Sequence, residues 1–465
     1  MDITAQTPGE KKLLERAVLI SASLTAFLAS FLASAINLAL PTIGYEFNAN
    51  AVELGWVMSS YTLTSAMFLL PFGKLGDIAG RKRIFALGVF LFVVSTFFII
   101  FARTIIFVII MRMIQGFSGA MIFSTSMAII TAVFGPGERG KALGLYITSV
   151  YIGFMSGPVL GGLLTQYFGW RSIFLFLVPF QVLSLVLIKR RIKIEWADAA
   201  GDQFDWKGTL VFSLALLTFM YGFSILPSLF GWISLGTSLS LAVLFVFIEL
   251  KAVNPIFEFE LILKNRMFAL SSLAALINYS ATSSIGLFVS LYLQHLRGFD
   301  ARVAGFIMIF QPLAMSLLSP LAGRLSDKHK PGTIASIGLA LIALGLILFC
   351  FINEYTHIAK LIVILLFLGA GFGLFSSPNA NAIMSSVEKK HLGIASGVLG
   401  TMRNIGQMVS MGISMMLLAL FIGREPINPS NYPALLQTIR TGVLCFAIFS
   451  IMSIIVSIAR NKQVK

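Results

Sequence analysis

Charged residues and cysteines are scarce in this chain. Only 11% of its 465 residues are charged and only two are cysteines, whereas 57% are hydrophobic and the mean hydropathy is +0.92. A composition so poor in charge excludes an ordinary soluble domain. Cys350 and Cys445 both fall inside apolar runs, so we expect neither a disulfide framework nor a metal site. The four histidines do not cluster, which argues against a histidine metal centre.

The chain consists mainly of apolar runs long enough to cross a bilayer. A hydrocarbon core of about 30 Å needs about 20 apolar residues per helix. The runs lack the period-two alternation of barrel strands, so helices are expected to satisfy the backbone in lipid. The sequence therefore predicts an all-α polytopic membrane protein with fourteen spans. They start near residues 17, 55, 84, 105, 142, 172, 208, 231, 267, 303, 332, 359, 393 and 436.

Basic residues outnumber acidic ones by 34 to 19, which gives a formal net charge of +15. About 25 of the 34 fall in loops on the side of the membrane that carries the N-terminus in the predicted topology. The sequence therefore predicts that residues 1–16 and 461–465 are cytoplasmic. Because the charges are dispersed over many short loops, anionic lipid headgroups account for them, and we expect no nucleic-acid binding.

Two short motifs return at nearly the same spacing. Residues 73–77, Gly-Lys-Leu-Gly-Asp, return as Gly-Arg-Leu-Ser-Asp at 323–327, and residues 140–144 return in weaker form at 393–397. The offsets are 250 and 253 residues. A nearly constant offset predicts a parallel repeat of two halves.

The repeat divides the chain into three parts. Residues 17–190 and 267–460 are predicted to form two six-helix bundles. Residues 191–266 are predicted to form a linker that carries two extra transmembrane helices.

Further motifs lie on individual spans. They are the loop from Gly73 to Arg83; Arg112, Gln115, Gly116, Gly119 and Ala120 in the fourth span; Gly153, Gly157, Pro158, Gly161 and Gly162 in the fifth; Trp170-Arg171 with Phe174; residues 205–208; and residues 292–294. Together they resemble the major facilitator superfamily, and more narrowly its fourteen-span drug:proton antiporter branch. The resemblance covers essentially the whole chain. It implies a major facilitator fold, alternating access and no enzymatic activity.

The loop after the second span carries the residues expected to control the cytoplasmic gate. Asp77 lies at a helix end, where it can pair with a nearby cation such as Arg81 or with the positive N-terminus of another helix. Gly73 and Gly80 allow tight turns there. We expect these residues to restrain the two halves during the transport cycle. The alternative is a static staple within the loop.

Two arginines lie inside predicted spans. A charge near the bilayer centre costs at least about 2.5–3.5 kcal/mol, so Arg112 should face a wet cavity or a partner. We expect it to shape a proton or substrate path; the alternative is a structural arginine satisfied by backbone carbonyls. Arg403 is expected either to line the cavity or to extend toward the membrane surface.

Glycines form one face of the fifth span. Gly153, Gly157 and Gly161 recur every fourth residue, which lets another backbone approach closely. With Pro158 and Gly162 they match the antiporter helix of the branch that the chain resembles. We expect a sliding seam here, although static packing predicts the same glycines.

Polar residues inside the spans define a candidate substrate cavity. Most are neutral hydrogen-bonding groups, which suits an amphipathic small molecule. The candidates are Asn37, Tyr61, Gln115, Asn278, Gln311, Asn379 and Arg403.

No acidic residue lies near the predicted middle of a span. The resembled branch carries an aspartate shortly before the run at residues 37–41, but the matching position here is Leu32. Glu53, at the outer end of the second span, is therefore the candidate for proton coupling. The alternative is a solvated interfacial glutamate.

Three classes of function remain open. The first is a proton-coupled exporter of amphipathic or lipophilic compounds, expected as a monomer without cofactor in the cell membrane. The second is a transporter of a lipid or an anionic metabolite with different or no proton coupling, since two arginines without acids leave a cavity electropositive. The third is a membrane enzyme, for which the sequence shows no nucleophile–base pair and no acidic metal ligands.

Overall fold

The computed structural model describes residues 8–134, 138–197, 199–257, 259–328, 330–387, 392–423 and 425–461. These residues form helices and loops, with no strand among them. The helices are α1 (Pro8–Phe47), α2 (Ala51–Ala79), α3 (Arg81–Ile99), α4 (Ile105–Val133), α5 (Arg139–Phe168), α6 (Arg171–Arg191), α7 (Trp206–Ile225), α8 (Leu229–Glu249), α9 (Phe259–Lys264), α10 (Arg266–Thr282), α11 (Ile285–Leu291), α12 (Ala301–Met308), α13 (Phe310–Lys328), α14 (Pro331–Cys350), α15 (Ile358–Ser385), α16 (Leu392–Phe421) and α17 (Tyr432–Asn461). A π-helical turn at Tyr292–Leu296 extends α11.

The predicted helical membrane architecture is confirmed. Thirteen helical segments among the described residues are long and apolar enough to cross a bilayer. Three of them are composite: α10, α11 and the π turn make one span, α12 with α13 makes the next, and a 3₁₀ turn at Pro429–Asn431 joins α17 in the last. The 29-residue α2 is the fourteenth span, since it packs along α4. Its middle carries polar residues such as Ser59 and Thr64, yet the sequence already predicted a span that starts near residue 55.

α1 is longer than its apolar run. It begins at Pro8, ahead of the predicted span start near residue 17. Its first turns are charged, and Lys11 Nζ lies 3.8 Å from Glu15 Oε1 one turn later. The helix therefore extends beyond the apolar span. We call the side of the membrane on which α1 begins and α17 ends the terminal face.

Helix packing repeats between the two halves of the chain. In the first half, α1 packs on α5 and α6, α2 packs on α4, and α3 packs on α4 and α6. In the second, α10 packs on α16 and α17, α13 on α15, and α14 on α15 and α17. The first bundle is α1–α6 and the second is α10–α17. The domain boundaries derived from the sequence stay a prediction.

The two inserted helices form a hairpin beside the bundles. α7 and α8 pack on each other, and α7 also packs on α2 and α16. Because α2 belongs to the first bundle and α16 to the second, α7 lies along a seam between the bundles.

An ion pair ties three helices of the first bundle together at the face opposite the termini. Arg171 Nη1 and Nη2 donate to Glu46 at 2.7 and 2.6 Å. The same side chain donates to the carbonyls of Ile100 and Ala102 at the end of α3. Trp170 Nε1 donates to Glu46 at 2.8 Å. The Trp-Arg pair noted in the sequence thus joins the ends of α1 and α3 to the start of α6.

The glycines of α5 divide between two packing partners. A Cβ on Gly153 would lie 2.5 Å from the Phe27 carbonyl oxygen, and one on Gly161 would lie 2.6 Å from Ala35 Cβ, so this face packs on α1 of the same bundle. A Cβ on Gly162 would lie 2.5 Å from the carbonyl oxygen of Ala301 in the second bundle. Only the end of the glycine motif therefore touches the seam between bundles.

We expect Gly153→Ala to destabilise the protein. The new methyl group would meet backbone rather than a flexible side chain, and overpacking of this kind costs about 1–3 kcal/mol. The matched control is Gly144→Ala on the same helix, where a Cβ meets nothing within 4 Å. Thermal unfolding of the purified proteins should show a lower Tm for Gly153→Ala alone. Equal Tm values for the two variants would contradict the close α1–α5 contact.

Candidate transport site

Arg112 is buried inside the first bundle with only 2% of its surface exposed. Its Nε donates to the Val57 carbonyl of α2 at 3.1 Å, and its Nη1 donates to Gln115 Oε1 at 3.0 Å. Its guanidinium lies over the Tyr61 ring, 4.8 Å from the centroid. Backbone, amide and aromatic ring together replace the water that this charge has lost. These contacts are the ones expected if Arg112 has a structural role. Its role in a proton or substrate path stays a prediction.

The hydrogen bonds of Arg112 continue across the bundle. Gln115 Nε2 donates to Thr96 Oγ1 of α3 at 3.1 Å, and Gln181 Nε2 of α6 donates to the same oxygen at 3.2 Å. The network joins four helices of the first bundle. Gln115, predicted in the substrate cavity, is fully buried in this network.

Arg403 of α16 lies where the two bundles face each other. Its charge acts electrostatically on the phenols of Tyr61 in α2, Tyr146 in α5 and Tyr279 in α10. The side chain is only partly buried, and no acidic residue pairs with it within the described part of the chain. We call Arg403 and these three tyrosines the central cluster.

Aromatic rings and hydroxyl groups lie around the central cluster, and such groups suit the binding of aromatic molecules. Tyr279 packs edge-on to Phe372, with centroids 5.4 Å apart. Its phenol also lies beside Ser376, and that of Tyr146 lies beside Ser126. Both bundles therefore contribute aromatic rings and hydroxyl groups to one electropositive region.

A break in the ninth span lies between α10 and α11. The Ser284 backbone N–H donates to Ser410 Oγ of α16 at 3.0 Å, which satisfies a backbone group that the break would leave open. The polar stretch at residues 278–284 coincides with the break, although the sequence predicted one continuous span there. Discontinuous spans near the membrane middle are a common feature of transporter binding sites.

The remaining cavity candidates lie in three different places. Asn37 is at a bundle seam, where its carbonyl accepts from Ser290 of α11, and its Oδ1 has no partner in the described residues. Asn278 is fully buried on α10, and its amide has no hydrogen-bond partner among the residues that the structure describes. Gln311 is half-buried, and its backbone carbonyl faces Gly369.

Asn379 contacts a buried arginine of the second bundle, and its assignment to the substrate cavity stays a prediction. Its Oδ1 accepts from Arg460 Nη1 at 2.7 Å, and its Nδ2 donates to the Ser271 carbonyl at 3.1 Å. Arg460 is 2% exposed and lies in the last turn of α17. Arg460 follows directly after the last apolar run and was not among the residues singled out from the sequence.

Asp77 pairs within its own loop. Its Oδ1 accepts from Arg81 Nε at 2.7 Å, and its backbone carbonyl accepts from Ala199 N–H of the linker. Gly80 has φ 111°, and a Cβ there would lie 2.5 Å from Glu195 Cδ, so a glycine is required. Gly73 has ordinary space around it, since its nearest neighbour would be 3.9 Å away. These contacts join the first bundle to the linker; a gating role stays a prediction.

Glu53 caps α2 at the face opposite the termini. Its Oε2 accepts from the Asn50 N–H at 2.8 Å, and its own N–H donates to Asn50 Oδ1 at 2.9 Å. This reciprocal pair is a capping box. The structure gives Glu53 a structural role that the sequence motif did not predict, and proton coupling through it stays untested.

Two helical bundles with repeated packing are a feature of secondary transporters. A family model described as Major Facilitator Superfamily matches residues 22–411 and 271–460. The chain belongs to the major facilitator superfamily. Its relatives are transporters, so the protein is a transporter and not an enzyme.

Two relatives of equal identity carry different names. The riboflavin transporter RibZ of Clostridioides difficile (strain 630) is 30% identical over 388 residues, which cover 83% of this chain and 85% of RibZ. The multidrug resistance protein Stp of Mycobacterium tuberculosis (strain ATCC 25618 / H37Rv) is 30% identical over 411 residues, 87% of this chain and 76% of Stp. Sequence identity alone does not choose between a metabolite and drugs.

The fold is shared with a solved major facilitator transporter. A bacterial homologue of the human lysosomal transporter Spinster, in an inward-facing and unoccupied conformation, matches with a TM-score of 0.71 at 14% identity. The match covers 98% of each chain. At this identity the likeness shows the fold alone.

We expect Arg112→Lys to fold but to slow transport at least about tenfold, which corresponds to about 1.4 kcal/mol in the activation barrier. A lysine keeps the charge but cannot hold Val57 and Gln115 together with one planar group. The matched control is Arg103→Lys, an exposed arginine just before α4. Uptake into proteoliposomes at equal protein incorporation measures the effect. An unchanged transport rate in Arg112→Lys would show that transport does not need the planar guanidinium contacts.

Proposed function

We propose that the protein exports amphipathic or lipophilic compounds across the bacterial plasma membrane by alternating access, driven by protons. The central cluster carries this proposal: one arginine and three tyrosines from both bundles, with no acidic partner for the arginine in the described residues. Aromatic faces and hydroxyl groups bind planar amphipathic molecules without requiring one fixed shape. The efflux and resistance functions named for several relatives support the same class.

The charge of the cluster favours neutral or anionic substrates over cations. A cation about 8 Å from Arg403 would be repelled by about 2 kcal/mol at an effective dielectric constant of about 20. An anion would gain about the same amount. In addition, Leu32 replaces the acid that the resembled branch carries in the first span. We therefore place lipophilic cations outside the preferred substrate class.

The helix contacts support a division between fixed and moving seams. Glycines bring α5 close against α1 within the first bundle, so these two helices move together. The seams of α2 with α16 and of α5 with α12 join the two bundles and open in turn. The loop around Asp77 restrains the terminal face, which we take as cytoplasmic. Gly162 and Pro158 act at the opposite face, where a Cβ on Gly305 would collide with the Pro158 carbonyl.

Transport of an anionic metabolite is the second candidate. The same unpaired Arg403 favours it, and the similarity to a named riboflavin transporter supports an aromatic metabolite. This candidate requires no proton coupling. A substrate panel that varies charge at constant size separates it from drug export.

We expect Arg403→Gln to change selectivity by charge. Loss of the positive charge should lower transport of aromatic anions at least about tenfold, by about 1.4 kcal/mol, while neutral aromatic compounds change little. Arg403→Lys retains the charge and serves as the matched control. Competition by neutral, anionic and cationic compounds against a fluorescent substrate in proteoliposomes measures the change. A parallel loss for neutral and anionic compounds would show that the arginine does not select charge.

Proton coupling is tested by lumenal pH. In proteoliposomes with an acidic interior, we expect added substrate to raise the lumenal pH as protons leave in exchange. Glu53→Gln keeps the hydrogen bonds of the capping box, so it separates helix capping from proton transfer. Loss of the pH change in this variant would identify Glu53 as a carrier. Substrate uptake without any lumenal pH change in the unmodified protein would contradict proton exchange.

A further inference from the structure

Two carboxyl groups, each with one buried oxygen, lie together at the base of the inserted hairpin. Asp205 precedes α7 and Glu249 is the last residue of α8, so both lie at the terminal face. A Cβ on Gly208 would collide with both Asp205 Oδ2 and Glu249 Oε1. The two oxygens therefore converge on the same point beside Gly208.

Each carboxyl group uses its other oxygen for the backbone. Asp205 Oδ1 accepts from the Gly208 N–H at 2.8 Å, which caps α7. Glu249 Oε2 accepts from the Phe257 N–H at 2.9 Å, which holds the loop after α8. The facing oxygens, Oδ2 and Oε1, are buried and have no donor among the described residues. Glu249 as a whole is only 4% exposed.

Two carboxylate oxygens cannot lie together in this way while both are ionised. Their repulsion and the loss of water disfavour the second charge, and one shared proton removes both costs. A metal ion would need more ligands, and no group of three His, Cys, Asp or Glu residues forms elsewhere or here within the described ranges. The arrangement fits a proton as the bound ligand.

Cations near the pair do not replace that proton. Lys207 on α7 and Lys251 after α8 are exposed, and Asp202 of the linker pairs with Lys74 of α2 at 3.2 Å. Asp205 is the one charged side chain of the described residues that acts electrostatically on Glu249. Glu258 lies outside those residues.

We propose that Asp205 and Glu249 form a proton-binding site, and that release of the proton loosens the terminal-face end of the α7–α8 hairpin. Ionisation of both groups would separate the start of α7 from the end of α8 and from the loop at residues 250–257. α7 also packs along the seam of α2 and α16. The site therefore makes the contact of α7 with that seam sensitive to pH, independently of which compound is transported.

Infrared spectroscopy of the full-length protein in lipid nanodiscs tests proton binding. Between pH 5 and about 9 we expect a protonated-carboxyl band that disappears with a midpoint at least about one pH unit above 4.3, the ordinary value for glutamate. Asp205→Asn and Glu249→Gln each supply a permanent N–H donor in place of the proton, so each should fold and lack this band. Glu53→Gln, at the opposite face, should keep it. A band that persists in both site variants, or that is absent from the unmodified protein, would overturn the proposal.

Hydrogen exchange tests the loosening. In the unmodified protein, exchange at residues 205–209 and 250–257 should rise at least about threefold above the midpoint, beyond the intrinsic effect of pH. In Glu249→Gln and Asp205→Asn this additional rise should be absent, because no second charge forms. If the two residues have a structural role without proton binding, all variants should show the same pH dependence. That result would contradict the proposed loosening of the hairpin.

Discussion

Inside a membrane-spanning bundle, a buried charge is stable only where the protein replaces the water that the charge has lost. Hydrocarbon offers no hydrogen bonds, so an unpaired buried group costs several kcal/mol. Arg112 meets this requirement with a carbonyl, an amide and an aromatic ring. Arg460 meets it with Asn379 and two serines. Each buried cation thus joins several helices of one bundle.

The need to satisfy buried charges also determines where the charged side chains lie. Acidic side chains lie at helix ends, where backbone N–H groups satisfy them: Glu53 caps α2, and Asp205 caps α7. The middle of the bundle keeps a positive charge at Arg403 without an acidic counterpart in the described residues. On the proposed function, substrate and proton therefore bind at different places. Their coupling then depends on helix movement and not on competition for one carboxylate.

Close backbone contact decides which helices move together. Gly153 and Gly161 bring α5 against α1 within one bundle, whereas Gly162 brings α5 against the second bundle. The glycine motif of α5 therefore forms one contact within the first bundle and one contact with the second bundle. The inserted hairpin adds a further contact, because α7 touches both bundles at once.

The sequence alone determined the membrane class, the helical architecture and the repeat, since apolar run length and motif spacing are local properties. It also identified Arg112 and Tyr61, because a charge or a polar ring in a span is visible without a structure. The tertiary structure decided the partners. Asn379 pairs with Arg460, Glu249 lies beside Asp205, and the Asn37 carbonyl accepts from Ser290 across the bundles, at sequence separations that no local pattern encodes. Side-chain partners across such distances follow from helix packing, which fixes the rotation of every span about its axis.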